Sequence, residues 1–170
     1  KQSDNTQWNG GAASWNKVAN NGHFEFTSNE TTKMRMVGLS TNSTGPDQAS
    51  IRYAILLENT GTFKIYETGI YRNVTGTYST GDIFRISVEA NTIRYYRNGA
   101  WLYTSALAPT LPMVADVSIF EVGGTVTDAR ITNFHNGVFT ASAVNAGVNP
   151  TFTWVLNGSV VQSGTSSTYT

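Results

Sequence analysis

Apolar and polar residues alternate along this chain in short stretches, and nowhere do they recur at helical spacing. In His23-Phe24-Glu25-Phe26-Thr27 the two phenylalanines fall on one side, the period-2 signature of a half-buried strand. Lys33 to Leu39 repeats the pattern, with Met34 and Met36 expected inward. Ile51 to Leu57 is a denser apolar run and predicts a central strand covered on both faces. Thr62 to Glu67 and Ile70 to Val74 predict a hairpin across Thr68-Gly69.

The clearest segment follows a turn at Ser79-Thr80-Gly81-Asp82. From Ile83 to Glu89, Phe84, Ile86 and Val88 point one way and Arg85, Ser87 and Glu89 the other. Beyond Ala90-Asn91, Thr92 to Arg97 runs into Asn98-Gly99, and Trp101 to Thr104 returns. Asn-Gly between two such runs is a strong hairpin signal, because both central positions of a type I′ turn need positive φ. Pro109 and Pro112 mark a connection, after which Met113 to Val122 and Val126 to Asn133 read as further strands. Some ten short strands punctuated by Gly, Asn and Pro imply an antiparallel sandwich or barrel.

Near Asn133 to Gly137 the texture changes. Val138 to Ala143, Pro150 to Gly158 and Ser163 to Thr170 read as a separate β-rich unit, which divides the chain into residues 1–134 and 135–170. Gly10-Gly11 and Gly123-Gly124 read as loop punctuation.

Composition narrows the class. Charged residues are 13% of the chain, against roughly 25% in soluble proteins generally. With 11 basic and 11 acidic residues, no long-range field favours nucleic acid or anionic lipid. Abundant Thr, Ser, Asn and Gly supply solubility instead, as in secreted and cell-surface β proteins, so an extracellular location is expected. There are no cysteines, hence no disulfide framework, thiol nucleophile or Cys-based metal site. No apolar run approaches the ~18 residues of a membrane span, so no membrane insertion is expected. No signal peptide opens the sequence, which suggests a mature boundary. Four Asn-x-Ser/Thr triplets, at Asn29, Asn42, Asn73 and Asn157, are attributed to chance in so Asn- and Thr-rich a chain.

Taken together, Gly81-Asp82 with its following strand, the Ile93 to Gly99 run and Leu102-Tyr103-Thr104-Ser105 resemble a signature of bacterial concanavalin A-like domains. Ala108 to Pro112, Val114 to Phe120, Gly38-Leu39-Ser40 and Ile51 to Ile55 are similar to the same group, and the resemblance covers roughly residues 7 to 133. It implies an all-β, antiparallel jelly-roll sandwich of the lectin/glucanase superfamily. Asn149 to Gly158 and Ser166 to Thr170 resemble the first half of a bacterial immunoglobulin-like module, with Trp154 as its core tryptophan. The remaining strands of such a module are missing. Three expectations stay open: a truncated module, a tail docked on the main domain, or a tail paired with a neighbouring molecule.

A glucanase of this superfamily needs two carboxyl groups about 5–5.5 Å apart, placed on one strand face by a Glu-x-Asp-x-Glu-like run. No such run exists: Glu25, Glu30, Glu58, Glu67, Glu89 and Glu121 are each isolated from other acids. His23 and His135 lack ligand spacing, and neither a Gly-x-Ser-x-Gly elbow nor a phosphate-cradling glycine loop is present. The chain reads as non-catalytic.

Recognition fits better. Aromatic residues are 12% of the chain, enough for both a core and an exposed platform. Trp101 directly follows the Asn-Gly turn, Trp8 and Trp15 flank Gly10-Gly11, and Tyr95 and Tyr96 must face opposite ways. Alternation gathers Arg85, Ser87, Arg94, Tyr96, Asp116 and Ser118 opposite their strands' apolar sets. Such a set is either a ligand groove or an ordinary solvated face. The candidate ligand residues are therefore Trp101, Tyr96, Arg85, Arg94, Asp116, Ser118 and Trp15. Asn42, Ser43, Asp47 and Gln48 form an oxygen-rich loop, but calcium takes about 6–8 oxygen ligands and Asp47 is the one carboxylate there. Calcium has little support, and no other cofactor is expected. The sequence thus predicts a carbohydrate-binding or adhesion domain whose partner is a polysaccharide or glycan. The alternatives are a structural subunit of an extracellular fibre or surface layer, self-associating through residues 137–170, and, behind it, a polysaccharide-degrading enzyme.

Overall fold

The computed structural model describes residues 6–43, 45–134, 139–144, 147–156 and 158–169. His135, Thr44 of the Asn42 triplet and Asn157 of the Asn157-Gly158 turn lie outside them. The chain divides into two compact units, Lys1–Phe134 and His135–Thr170.

The first unit is a jelly-roll sandwich of eleven strands: β1 (Gly10–Val18), β2 (Gly22–Thr27), β3 (Arg35–Ser40), β4 (Tyr53–Leu57), β5 (Thr62–Glu67), β6 (Ile70–Thr77), β7 (Ile83–Glu89), β8 (Thr92–Arg97), β9 (Ala100–Thr104), β10 (Met113–Ile119) and β11 (Thr127–Asn133). Six form one antiparallel sheet in the order β1-β10-β3-β4-β5-β6, and five form the other in the order β11-β2-β7-β8-β9. The core lies between them. Phe24, Phe26, Phe84, Ile86, Val88, Ile93 and Tyr95 from the five-stranded sheet meet Val37, Leu39, Tyr53, Ile55, Leu57, Phe63 and Ile65 from the six-stranded one. Three of its aromatic rings, Phe24, Phe26 and Phe84, stack in series with centroids 5.7 Å apart at each step.

Three hairpins turn on consecutive positive-φ residues, Thr68-Gly69, Ala90-Asn91 and Asn98-Gly99, as the twist of paired strands demands of two-residue loops. Asn98 also accepts a hydrogen bond from the Ile83 amide through its side chain, 2.8 Å, tying the last turn to the start of β7.

Two expectations are corrected here. Met34 and Met36 do not face the main core: Val37 and Leu39 do, while Met36 joins Ile51, Ala54 and Leu56 in a second apolar cluster with Met34, Trp8 and Tyr66 packed on it. Met34-x-Met36 and Val37-x-Leu39 are both apolar pairs in opposite phase, so alternation alone left the inward side ambiguous. Gly10-Gly11 is not a loop but the start of β1, with Gly11 opposite Ser118. A Cβ on Gly38 would fall 2.0 Å from the Tyr53 carbonyl oxygen, so only glycine lets β3 and β4 approach there.

Among its described residues the second unit holds two small antiparallel pairs: β12 (Phe139–Thr140) with β15 (Thr168–Tyr169), and β13 (Phe152–Leu156) with β14 (Ser159–Gly164). Trp154 stacks on Tyr169 with centroids 6.0 Å apart.

Candidate functional site

The inward phase of the five-stranded sheet dictates what lies on its outer face. With Phe24, Phe84, Ile86 and Tyr95 turned in, their neighbours His23, Glu25, Arg85, Ser87, Arg94 and Tyr96 turn out. Register then arranges them in two rows across the strands. One runs Arg130, Glu25, Arg85, Tyr96, Trp101, and the other Thr132, His23, Ser87, Arg94, Thr104.

Trp101 reaches this face through an irregularity. Tyr95 lies opposite Tyr103 and Tyr96 opposite Trp101, so Leu102 is an extra residue in β9. Leu102 and Tyr103 both pack against the core, and the bulge turns Trp101 outward, as bulges at sheet edges do. Its side chain is 62% exposed, and its indole N–H donates to the Thr104 hydroxyl at 3.0 Å.

Two charge networks fix the polar groups of the face. Arg85 donates to Glu25 Oε2 through Nε at 2.9 Å and Nη2 at 2.5 Å, and Arg130 Nε lies 3.8 Å from Glu25 Oε1. Glu89 accepts from the Ser87 hydroxyl at 2.6 Å, the Tyr96 hydroxyl at 3.0 Å and the Arg94 guanidinium. Partial burial pushes the Glu89 carboxyl up, but hydrogen bonds from Ser87, Arg94 and Tyr96 outweigh it and hold it below its ordinary value. His23 is pushed down by burial and then by the Arg85 charge; it packs on the Phe134 ring, centroids 5.4 Å apart. A general acid needs a raised pKa. Glu89 is the reverse, and Glu25 is committed to its arginines.

The other sequence candidates lie elsewhere. Asp116 and Ser118 belong to β10 of the six-stranded sheet, so they do not join Arg85, Arg94 and Tyr96 on one face. Both are buried. Asp116 Oδ1 accepts from the Ser43 hydroxyl at 3.2 Å, and the Ser118 hydroxyl donates to the Pro46 carbonyl. They anchor Ser43 and Pro46 over the sheet. Burial raises the Asp116 carboxyl, against smaller opposing hydrogen bonds from Ser40 and Ser43. Sequence alternation placed each side chain away from the main core correctly, but it carries no information on which sheet a strand joins. In the same loop Asp47 accepts from the Ala49 amide at 3.0 Å, capping the short 3₁₀ turn Gln48–Ser50. Among the described residues no group of three or more His, Asp or Glu is placed to hold a metal ion. Trp15 lies in an irregular stretch of β1 between Ala13 and Lys17, 97% exposed. Trp8 instead covers the second apolar cluster, its ring 5.2 Å from Phe120.

Glu25 and Arg130 were missed as members of the face, whereas Glu89 was read as outward with Arg85 and Ser87. Their phase was visible, since Glu25 alternates with Phe24 and Phe26. Their partners were not, because β2 pairs with β7 and β11, strands distant in sequence.

No family model and no curated protein matches the sequence. Solved structures align with it at low identity. A variant of human galectin-16 aligns over 78% of this chain and all of its own, at 13% identity and a TM-score of 0.47. A toad ovary galectin, solved with thio-digalactose, aligns over 72% of this chain and 98% of its own, at 12% identity and TM-score 0.47. A β-glucanase of Bacillus licheniformis aligns over 65% and 57% respectively, at 12% identity and TM-score 0.44.

Proposed function

We propose that this chain is a carbohydrate-binding domain of a secreted or cell-surface bacterial protein, binding glycan without turning it over. The observation that carries the reading is Trp101, turned out by the β9 bulge and aligned with Tyr96, Arg85 and Glu25 in one row. An exposed indole offers a flat apolar face to a sugar ring. Arg85 and Arg94, held by Glu25 and Glu89, present pre-positioned donors to hydroxyl groups, so little side-chain entropy is lost on binding. The same ion pairing supports a non-catalytic role, because both carboxylates of the face are occupied. The low charge and Ser/Thr/Asn-rich surface support an extracellular location.

The test is a glycan array and polysaccharide pull-down with the full chain. At least one glycan is retained, and Trp101→Ala loses most of that retention while unfolding at the same temperature. Absence of binding across broad neutral and acidic panels overturns the reading, as does turnover of a bound polysaccharide.

A second reading, a self-assembling surface subunit, draws on the second unit, where Phe139, Val155, Leu156 and Val160 are exposed. Concentration-dependent polymers that vanish when residues 137–170 are deleted would favour it.

A further inference from the structure

Strands β1 and β11 are the outermost strands of their respective sheets and contact one another. Each is broken by a register shift, between Ala13 and Lys17 in β1 and between Thr127 and Arg130 in β11, where Asp128 takes a positive φ of 49°. Two adjacent edges, each irregular here, do not close on one another. A cavity of about 400 Å³ opens at this place. The core residues Phe24 and Ala115, with Ile131, line its depth, and Trp15 and Arg130 stand at its rim.

The β1 irregularity has a fixed shape. The Ser14 hydroxyl accepts from the Ala115 amide at 2.9 Å, in place of a strand partner, and donates to the Asn16 carbonyl at 2.6 Å. Trp15, between them, is held away from the sheet and is 97% exposed. A tryptophan so fully exposed buries none of its large apolar surface in the fold, unlike Trp8, which packs on Phe120.

One carboxylate here serves two cations. Glu25 is shared by two guanidiniums, and Arg85 takes it through two short hydrogen bonds while Arg130 stays 3.8 Å away. Within this trio two cations share one anion, and Arg130, whose side chain is 63% exposed, is the cation that lines the cleft. His23 feels the same groups: burial and then the Arg85 charge lower it, Glu25 raises it, and Arg130 adds a smaller lowering.

We propose that this cleft is a second binding site, taking a carboxylate-bearing pyranose of an acidic polysaccharide. The ring face lies on the Trp15 indole, and the carboxylate meets Arg130. The guanidinium fork matches a carboxylate in plane and spacing, and the volume is within the range of small-ligand clefts, about 300–1,000 Å³. The inference rests on the carbohydrate-binding reading and specifies the chemistry of one sugar residue.

The experiment uses affinity electrophoresis of the full chain in gels of polygalacturonate, alginate and hyaluronan, each beside its carboxyl-reduced form. At least one acidic polymer retards the chain with an affinity tenfold or more above its reduced form, and added salt erodes the difference. Trp15→Ala and Arg130→Gln each remove that preference, whereas Arg130→Lys, which keeps the charge and loses the fork, restores part of it. Trp101→Ala weakens binding to acidic and reduced polymers alike and leaves the preference in place. Both Trp15 and Arg130 are exposed, so their variants unfold with the parent. Equal retention by acidic and reduced polymers, or a preference indifferent to Trp15→Ala and Arg130→Gln, overturns the inference while leaving glycan binding intact. No retention by any polymer, neutral or acidic, overturns both.

Discussion

The outer faces of the two sheets are built from the same alternation and put to different uses. On the five-stranded sheet the outward residues are His23, Glu25, Arg85, Ser87, Arg94 and Tyr96, cross-linked by ion pairs and flanked by an exposed tryptophan. On the six-stranded sheet the outward residues of β3 and β4 are Met36, Ala54 and Leu56, which form a second apolar cluster with Ile51. Asp116 and Ser118 beside them are buried and bonded to Ser43 and Pro46. A polar side chain opposite a core-facing one is thus available to a ligand on one sheet and a loop anchor on the other. What decides is whether the connection following the strand folds back over the sheet. After β3 it does, through Ser43 and Pro46; after β8 it is a two-residue turn and cannot.

The largest effect that sharpens this contrast belongs to the covered face. Leu56→Ala removes a buried side chain of the second cluster, and chemical denaturation should show a loss of about 2–5 kcal/mol. An outer face that were truly solvated would lose far less.

Next comes affinity on the open face. Trp101→Ala should weaken glycan binding about tenfold, roughly 1.4 kcal/mol, by titration calorimetry. The same variant should change stability by no more than about 0.5 kcal/mol, since it removes an exposed side chain. Parallel loss of stability and binding would mean that Trp101 supports the fold instead.

The two faces should also respond oppositely to pH. Glu89 is held low by its hydrogen bonds, so its contribution is present above the unfolded carboxylate range and is lost as pH falls through its depressed folded value. Asp116 is raised by burial, so its contribution is present below the unfolded value and is lost as pH rises through the raised folded one. Thermal denaturation across pH 2–7 should therefore show Glu89→Gln flattening the acid side of the profile. Asp116→Asn should remove a decline on rising from acid toward neutral. These are small effects, because Glu89 is part-exposed and such pairs contribute about 1 kcal/mol or less.

The sequence carried much of this architecture and less of the site. Strand alternation and the Thr68-Gly69 and Asn98-Gly99 turns located β2 to β11 closely, because period 2 and positive φ are local properties. β1 escaped notice, since Gly10 to Val18 has few apolar residues to set a phase and its irregular stretch breaks what phase there is. Tyr96, Arg85 and Arg94 were legible as outward residues, and Trp101 does share their face. Asp116 and Ser118 were grouped with them wrongly, because sheet membership depends on pairings distant in sequence. The bulge at Leu102 was equally invisible: unbroken alternation from Tyr103 would turn Trp101 toward the core, and only the pairing with β8 shows that it turns outward. The carboxylates that position Arg85 and Arg94 are legible as residues but not as partners.

The most direct test of the central claim is an amide and indole NMR titration of the full chain with a glycan retained on the array. Shifts should concentrate on the Trp101 indole N–H and the amides of Tyr96, Arg85 and Arg94, with Asp116 and Ser118 unmoved. Shifts centred instead on Tyr66 and Tyr71, whose rings pair 5.6 Å apart on the outer side of the six-stranded sheet, with Trp101 silent, would contradict it.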